Sequence, residues 1–445
     1  MDYTRILTTA ISTLRARGVK VEPRFAYYDG RHNCSLGSKA WNDSYRKVVA
    51  GVKDNQCKLV VDTRADAVVP AGVEATSDNP FEQALAAWAT DLFEREADDL
   101  DEFATTAEKA GTQTVMLVDY DEAGEVALYC VDPRSVYAQV SKSGRLLSLL
   151  HVWRDEADSF TSATLYLPDR KIVFGTTSAQ LLPAPEAFHA REELPNPLGE
   201  IAAVVVDLNG SVLDDAIPLN DMLNKSLQTQ AVVGEAYALP FRVYLGIETY
   251  DPATGEVAAV IPSMNPATGS RDVSIPTVAD AEGDKRQVIQ FESPKPEAYL
   301  AEQDSLRTAI ARLAHIPTHL VQLGGAPVSG DALEIASMPF VGWQAAAIRT
   351  TYRRAFREVA RLAVRMHLYK LTGRPMPAPA LDVKFAPIAT STTSSRVQQM
   401  RDAVDAGMSL ADALVEFLGW DREAADLAET RTAEASARAF DAGTV

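Results

Sequence analysis

Cysteine is scarce in this chain: Cys34, Cys57 and Cys130 are the only three in 445 residues, and they lie far apart. An odd, scattered set excludes a disulfide scaffold and a zinc site, fits a reducing cytoplasm, and marks all three as core residues. Long apolar runs are missing as well. The longest are short stretches such as Ile201–Val206, far below the roughly 18 to 20 residues needed to cross a bilayer. The polar start, Met-Asp-Tyr-Thr-Arg, lacks the apolar core of a secretory signal. These absences describe a chain that stays in the compartment where it is made and has no membrane partner.

Catalytic signatures are absent too. The sequence has no Gly-x-Ser-x-Gly elbow, no His-Glu-x-x-His helix, no Gly-x-Gly-x-x-Gly turn and no Walker A loop; Gly37-Ser-Lys39 lacks the spacing of a phosphate cradle. Asp119-Tyr-Asp-Glu-Ala-Gly124 begins like a calcium loop, but Ala123 stands where an oxygen ligand is required and Cys130 where the closing Glu belongs. A hairpin turn is the better account. Asp214-Asp215 and other scattered acids leave a metal-dependent nuclease as a remote alternative. His315 and His319 are the only close histidine pair, and Pro317 between them breaks the register that would aim both at one metal. The chain therefore reads as a non-enzyme without cofactor or metal.

Positive charge is in deficit: 43 Lys and Arg against 61 Asp and Glu give a net charge of −18. Such a surface repels DNA over most of its area, which excludes a sequence-reading transcription factor but suits a conduit in which a duplex must not stick. What remains is an ordinary globular composition, 47% apolar and 23% charged, long enough for two to four structural regions.

Periodicity sorts those regions. Ile6, Leu7, Ile11 and Leu14 predict an amphipathic helix ending near Gly18, followed by an extended arm, Arg24–His32, with an Asp-Gly turn. Lys58–Val69 reads as a strand, and Asn79-Pro80 opens a helix over Phe81–Glu96 with Leu85, Trp88 and Leu92 on one face. The acidic run Glu94–Glu102 is a solvated helix face or a helix–helix connection. From Gly111 to Phe174 the period falls to two, predicting an antiparallel sheet, and Ile201–Val206 is a further buried strand.

Ile217–Leu239 and Pro296–His315 then read as helices around a Pro- and Gly-rich run of short strands, Phe241–Glu292. An irregular stretch, Pro317–Ser329, leads into the longest helical pattern, which runs to Leu371, stops at Gly373-Arg-Pro375 and should kink at Pro339. Arg349, Arg353, Arg357, Arg361 and Arg365, joined by Arg354, form an oblique basic ridge on it. Salt bridging within or between subunits is the favoured role of this ridge, ahead of contact with DNA. Val383–Ile388 is a strand returning to the earlier sheet, and helices at Ser394–Asp405, Ser409–Leu418 and Asp421–Phe440 end the chain.

The order of these parts resembles the portal proteins of siphophages. Ala110-Gly-Thr-Gln-Thr-Val-Met-Leu-Val118 with Val131-Asp-Pro-Arg-Ser135 is similar to the family's wing sheet, and Leu198–Asn209 to the strand before its first stem helix. The helix–insertion–helix series Ile217–His315 resembles its stem–clip–stem arrangement, and Ser329-Gly-Asp-Ala-Leu-Glu334 the passage from tunnel loop to long wing helix.

The resemblance implies an α+β portal fold: a mixed α/β wing, a two-helix stem enclosing a small α/β clip, a long kinked wing helix and a helical crown. The boundaries it implies are wing 1–216, stem helices 217–240 and 293–316, clip 241–292, tunnel loop 317–330, long helix and remaining wing 331–408, and crown 409–445. It further implies a dodecameric ring at one capsid vertex, present in the virion and in host cytoplasm during assembly. Double-stranded DNA would pass through it without sequence specificity. Its protein partners would be the terminase large subunit, a head–tail adaptor, and the major capsid and scaffolding proteins. Thr318, His319, Gln322, Leu323, Gly324, Gly325 and Ser329 would belong to the tunnel loop, and Arg307 and Arg312 are candidates for the channel wall of the stem. Another structural or connector protein of the phage head is the nearest alternative.

Overall fold

A computed structural model describes residues 3–32, 51–154, 160–178, 180–237, 241–245, 261–265, 270–275, 287–290, 296–321, 336–386, 388, 393–418, 420, 422 and 424–432. Helix α1 (Tyr3–Tyr28) runs ten residues past Gly18 and absorbs most of the expected extended arm. Its buried stripe explains why: Leu7, Ala10, Ile11, Leu14, Val21 and Phe25 continue one helical face through the glycine. Pro23 removes only the bond to the carbonyl of Val19, a residue exposed to water. The Asp29-Gly30 turn follows as expected.

The segment read as a strand at Lys58–Val69 is instead helix α2 (Gln56–Ala65) continued by a 3-10 turn, Asp66–Val68. Asn55 caps it by accepting the Lys58 N–H at 3.3 Å, and the buried positions Cys57, Val60, Val61 and Ala65 have helical spacing. The adjacent valines masked that spacing. Strand β1 (Pro70–Ala75) follows, then α3 (Pro80–Arg95) and α4 (Ala97–Ala110), the latter presenting the acidic run on its solvent side.

The expected antiparallel sheet is in fact two. β2 (Thr114–Tyr120) and β3 (Val126–Val131) form a hairpin whose turn is closed by the Gly124 N–H donating to Asp121 O at 3.0 Å. Asp132-Pro133 then ends β3, because proline has no N–H for the ladder. The chain passes into a five-stranded meander of β4 (Val136–Val140), β5 (Leu146–Arg154), β6 (Thr161–Tyr166), β7 (Arg170–Gly175) and β8 (His189–Pro195). Strand β9 (Ala203–Val206) returns to pair with β2. Alternation along β5 assigns its two faces: Leu150 and Val152 pack under α1, while Leu149 faces a second cluster with Val115, Leu117 and Val136.

Helix α5 (Leu213–Tyr237) leads to four strands, β10 (Phe241–Leu245), β11 (Ile261–Asn265), β12 (Ser270–Ile275) and β13 (Gln287–Gln290), in the order β11-β12-β10-β13. Helix α6 (Pro296–Ala314) closes this insertion. From residue 336 a helical segment passes through a π-turn at Phe340–Gln344 and continues as α7 (Ala345–Thr372), capped by left-handed Gly373. Among the described residues, strand β14 (Leu381–Phe385) pairs antiparallel with β1 alone, and so does not return to the 114–175 sheets. Helices α8 (Thr393–Asp405) and α9 (Leu410–Leu418) follow, with a small apolar cluster of their own around Leu414 and Ala425.

The largest core joins α3, α4, α7, the β1–β14 pair and one face of β2–β3. Phe356 is its hub, with the rings of Phe93, Phe103, Tyr352 and Phe385 all at 6.0–6.3 Å. Beside it, Arg64 pairs with buried Glu108 at 2.7 Å. A separate core joins α2, α5 and α6. Among the described residues, no helix is long and apolar enough to cross a membrane.

Candidate functional site

The candidate site is built on the pair α5–α6. Two helices that pack antiparallel around an insertion usually bury an apolar seam, yet here much of the seam is polar: Asn220, Asn224, Gln228, Gln303 and Arg307 are all buried. Each such group loses its hydration and needs a partner. Gln303 Nε2 donates to Gln230 Oε1 at 2.8 Å, and Ser226 Oγ to Glu302 Oε2 at 2.8 Å, which ties one helix to the other.

The remaining partners come from the strap before α2. Asn224 Oδ1 accepts the Asp54 N–H at 2.7 Å and Asn220 Oδ1 accepts that of Gln56 at 3.1 Å. The Asp54 carboxylate in turn accepts from Arg307 Nε and Nη2 at 3.0 and 2.9 Å and from Gln56 Nε2 at 2.6 Å. Asp304, one turn away at 3.2 Å, completes the arginine's environment. Arg307, a candidate for the channel wall, is thus turned into the protein, with 4% of its surface exposed. Arg312, its companion candidate, is exposed.

Beyond α6, His315 adopts a left-handed conformation, φ 55°, and Pro317 opens a 3-10 turn over Thr318–Leu320. Thr318 and His319 are half-buried there, and His319 Nδ1 is enclosed with no hydrogen-bond partner among the described residues. Leu320 and Val321 meet Lys53, Asp54 and Arg307 around an open cavity of about 570 Å³. The start of the expected loop therefore lies against the strap and the helix pair. Gln322, Leu323, Gly324, Gly325 and Ser329 lie outside the described residues.

Pro339 precedes the π-turn, in which the Ala345 N–H donates to Phe340 O, one residue further back than in an α-helix. Along α7 five arginines of the ridge are engaged within the chain. Arg349 donates to the carbonyls of Ala67, at 2.6 Å, and Ala386. Arg353 and Arg357 share Asp382 at 3.3 and 3.7 Å. Arg361 pairs with Glu200 at 2.8 Å and Glu358 at 2.7 Å, and Arg365 also pairs with Glu200 while donating to Leu198 O at 3.0 Å. The ridge thereby ties α7 to β14 and to the loop before β9.

The other chemical candidates resolve into structure. Asp214 pairs with Arg24 at 2.7 Å, and Asp121 lies in the β2–β3 turn. Burial pushes the Cys57 and Cys130 thiols up to about 12, far from a reactive thiolate. Among the described residues no group of three or more His, Cys, Asp or Glu is placed to hold a metal ion. Sequence reasoning missed Asp54, Asn220 and Asn224. A signal was present: two asparagines four apart on the α5 helix, in line with its apolar face.

No curated protein matches the chain. Among solved structures, it is similar to a chain from the neck of a native gene transfer agent particle computed with C12 symmetry, at 12% identity, covering 86% of this chain and 94% of that one, with a TM-score of 0.43. A chain of the virion of a native gene transfer agent particle matches at 13% identity, with coverage of 89% and 98% and a TM-score of 0.44. One from the neck of an empty particle computed with C6 symmetry matches at 12%, with 84% and 93% coverage and a TM-score of 0.45. The family described as phage portal protein, SPP1 Gp6-like, matches residues 20–434, nearly the whole length. This chain belongs to that family of phage portal proteins.

Proposed function

We propose that the chain is a structural, non-catalytic subunit of a dodecameric ring at one capsid vertex, a channel through which double-stranded DNA is packaged and ejected. The observation that carries this reading is the family match, which spans both helices α5 and α6, the four-stranded insertion between them and the long helix after it. In these terms α5 and α6 are the stem and β10–β13 belong to the clip, which docks the terminase large subunit and later the head–tail adaptor. Residues 317–330 are the tunnel loop and the helices from Ser409 the crown facing the capsid interior, while the wing meets capsid and scaffolding proteins.

Physical chemistry fits this role. A moving duplex needs weak, sequence-blind contacts, and a net charge of −18 per subunit provides repulsion that keeps it from sticking. The polar seam of α5–α6 gives the stem a fixed helix register without a sticky apolar face. Arg307 acts inside this seam, which leaves Arg312 as the exposed arginine of the stem. The arginine ridge serves as a brace of the wing, since Arg349, Arg353, Arg357, Arg361 and Arg365 find their partners in carboxylates and carbonyls of the same chain.

Electron microscopy of the purified protein tests the reading. Rings with twelvefold classes and a central opening wide enough for a B-form duplex are expected. Uniform monomers or dimers under assembly-favouring conditions would overturn it.

A further inference from the structure

Two surface features take no part in the core, the polar seam or the arginine brace. The first is Trp343, which projects from the π-turn with 77% of its surface exposed, near Met338 at 61%. Tryptophan is the side chain most enriched among binding hot spots, and π-turns recur at functional positions. About three turns further along the same helix, roughly 16 Å at 1.5 Å per residue, Arg354 is exposed and, among the described residues, lacks a carboxylate partner.

The second feature is a cavity of about 240 Å³ between the 3-10 turn after α2, strand β1 and the α3–α4 corner. Its walls include Val68, Val69, Phe93 and Leu100, and its lining also holds the carboxylates of Glu94 and Asp101. Asp66 and Asp98 lie within electrostatic reach of Asp101. Among the described residues none of these four acids is bridged by a cation; the nearby Lys58 is committed to Asp62 at 2.7 Å. Partial burial, more than mutual repulsion, raises the Asp66 and Asp101 carboxyls above the usual range.

We propose that this cavity receives Trp343 from a second copy of the chain, with the Glu94, Asp98 and Asp101 carboxylates facing Arg354 of that copy. The inference rests on the ring reading and specifies one of its subunit contacts. Size permits it, since an apolar cavity of about 150 Å³ already admits benzene and this one is larger. Charge complementarity selects the occupant: an unpaired cation about three turns along the helix from an apolar anchor on one surface, unpaired acids in and next to an apolar hollow on another. Within one chain the two do not meet, because Trp343 is absent from the cavity wall and stays open to water. A knob and a hole at different places on one molecule make a head-to-tail contact, which closes into a ring when the rotation allows.

The full-length chain with a benzophenone amino acid at position 343, mixed in isotopically heavy and light forms before assembly, tests this contact. Irradiation is expected to give heavy–light cross-links from position 343 to residues 65–104 of another copy. Microscopy of the same sample separates the two claims. Rings whose position 343 cross-links elsewhere, or only within its own chain, overturn the contact and leave the ring reading intact; a chain that stays monomeric overturns both. Trp343→Ala, which removes an exposed side chain and leaves the fold intact by circular dichroism, is expected to raise the concentration for half-assembly on the order of tenfold or more. Trp343→Phe should restore most of that loss. Unchanged assembly in Trp343→Ala would also overturn the contact.

Discussion

Arg307 and Asp54 are the residues on which the helix pair closes. A guanidinium taken out of water is tolerated only while its partner remains, so removing one member costs far more than the pair contributes. Asp54→Ala is expected to destabilise the protein by about 3 kcal/mol, since Asp304 compensates only in part from its half-exposed position. Asp304→Ala, which breaks the outer bridge alone, should cost under about 1 kcal/mol. Urea unfolding of the two variants measures the difference, and equal costs would mean that Arg307 does not depend on Asp54. Much at this scale was readable beforehand. Arginines at four-residue spacing announced charged partners for the long helix, and an acidic chain supplied carboxylates to match. That Arg307 points inward was not readable, because its partner lies 253 residues away and spacing along one helix says nothing about what another segment brings.

Among the elements, the corner that joins α4 to α5 depends on Gly111. Its φ of +59° is the left-handed cap of α4, and a Cβ there would stand 2.2 Å from the backbone nitrogen of Ser211. Gly210 N–H donates to Gly111 O at 2.8 Å, and Ser211 Oγ donates to Glu108 O at 2.9 Å, so the start of α5 is held directly on the end of α4. Gly111→Ala is therefore expected to cost about 3 kcal/mol or more, the sum of left-handed strain and a backbone collision. Gly124→Ala, with similar φ but open space around it, should cost only about 1 kcal/mol. Matched thermal melts test this; similar shifts would show that the close approach at Gly111 is not what matters. The long, strongly periodic helices were legible in the sequence, as were the hairpin turn and the inserted strands. Two local signals misled. Paired valines in α2 imitated a strand although Cys57, Val60, Val61 and Ala65 keep helical spacing. Gly18 and Pro23 imitated a helix end, although the α1 stripe continues beyond both. In each case burial of a continuous face outweighed local propensity.

For the molecule as a whole, charge sets what the proposed channel would offer to DNA. A dodecamer would carry roughly two hundred negative charges, a consequence of the −18 per chain, and beyond about a Debye length these act as a screened repulsive field. Composition alone revealed that balance, but not whether a basic stripe escaped it. Five arginines of the most basic helix do not: Arg349 is spent on carbonyls, Arg353 and Arg357 on Asp382, Arg361 and Arg365 on Glu200, which leaves Arg354 as the exposed cation of that ridge. Cations already neutralised by their own chain release no counterions from a duplex, and counterion release is what drives sequence-independent affinity. Duplex binding by assembled protein, followed by fluorescence anisotropy, is therefore expected to be weaker than about 10 µM at roughly 0.15 M salt. It should also fail to strengthen as salt is lowered, the opposite of a protein that grips phosphates. Affinity climbing steeply on dilution of the salt would reveal an uncompensated basic surface in the assembled channel, and sliding by repulsion would have to give way to a mechanism of sequential phosphate contacts.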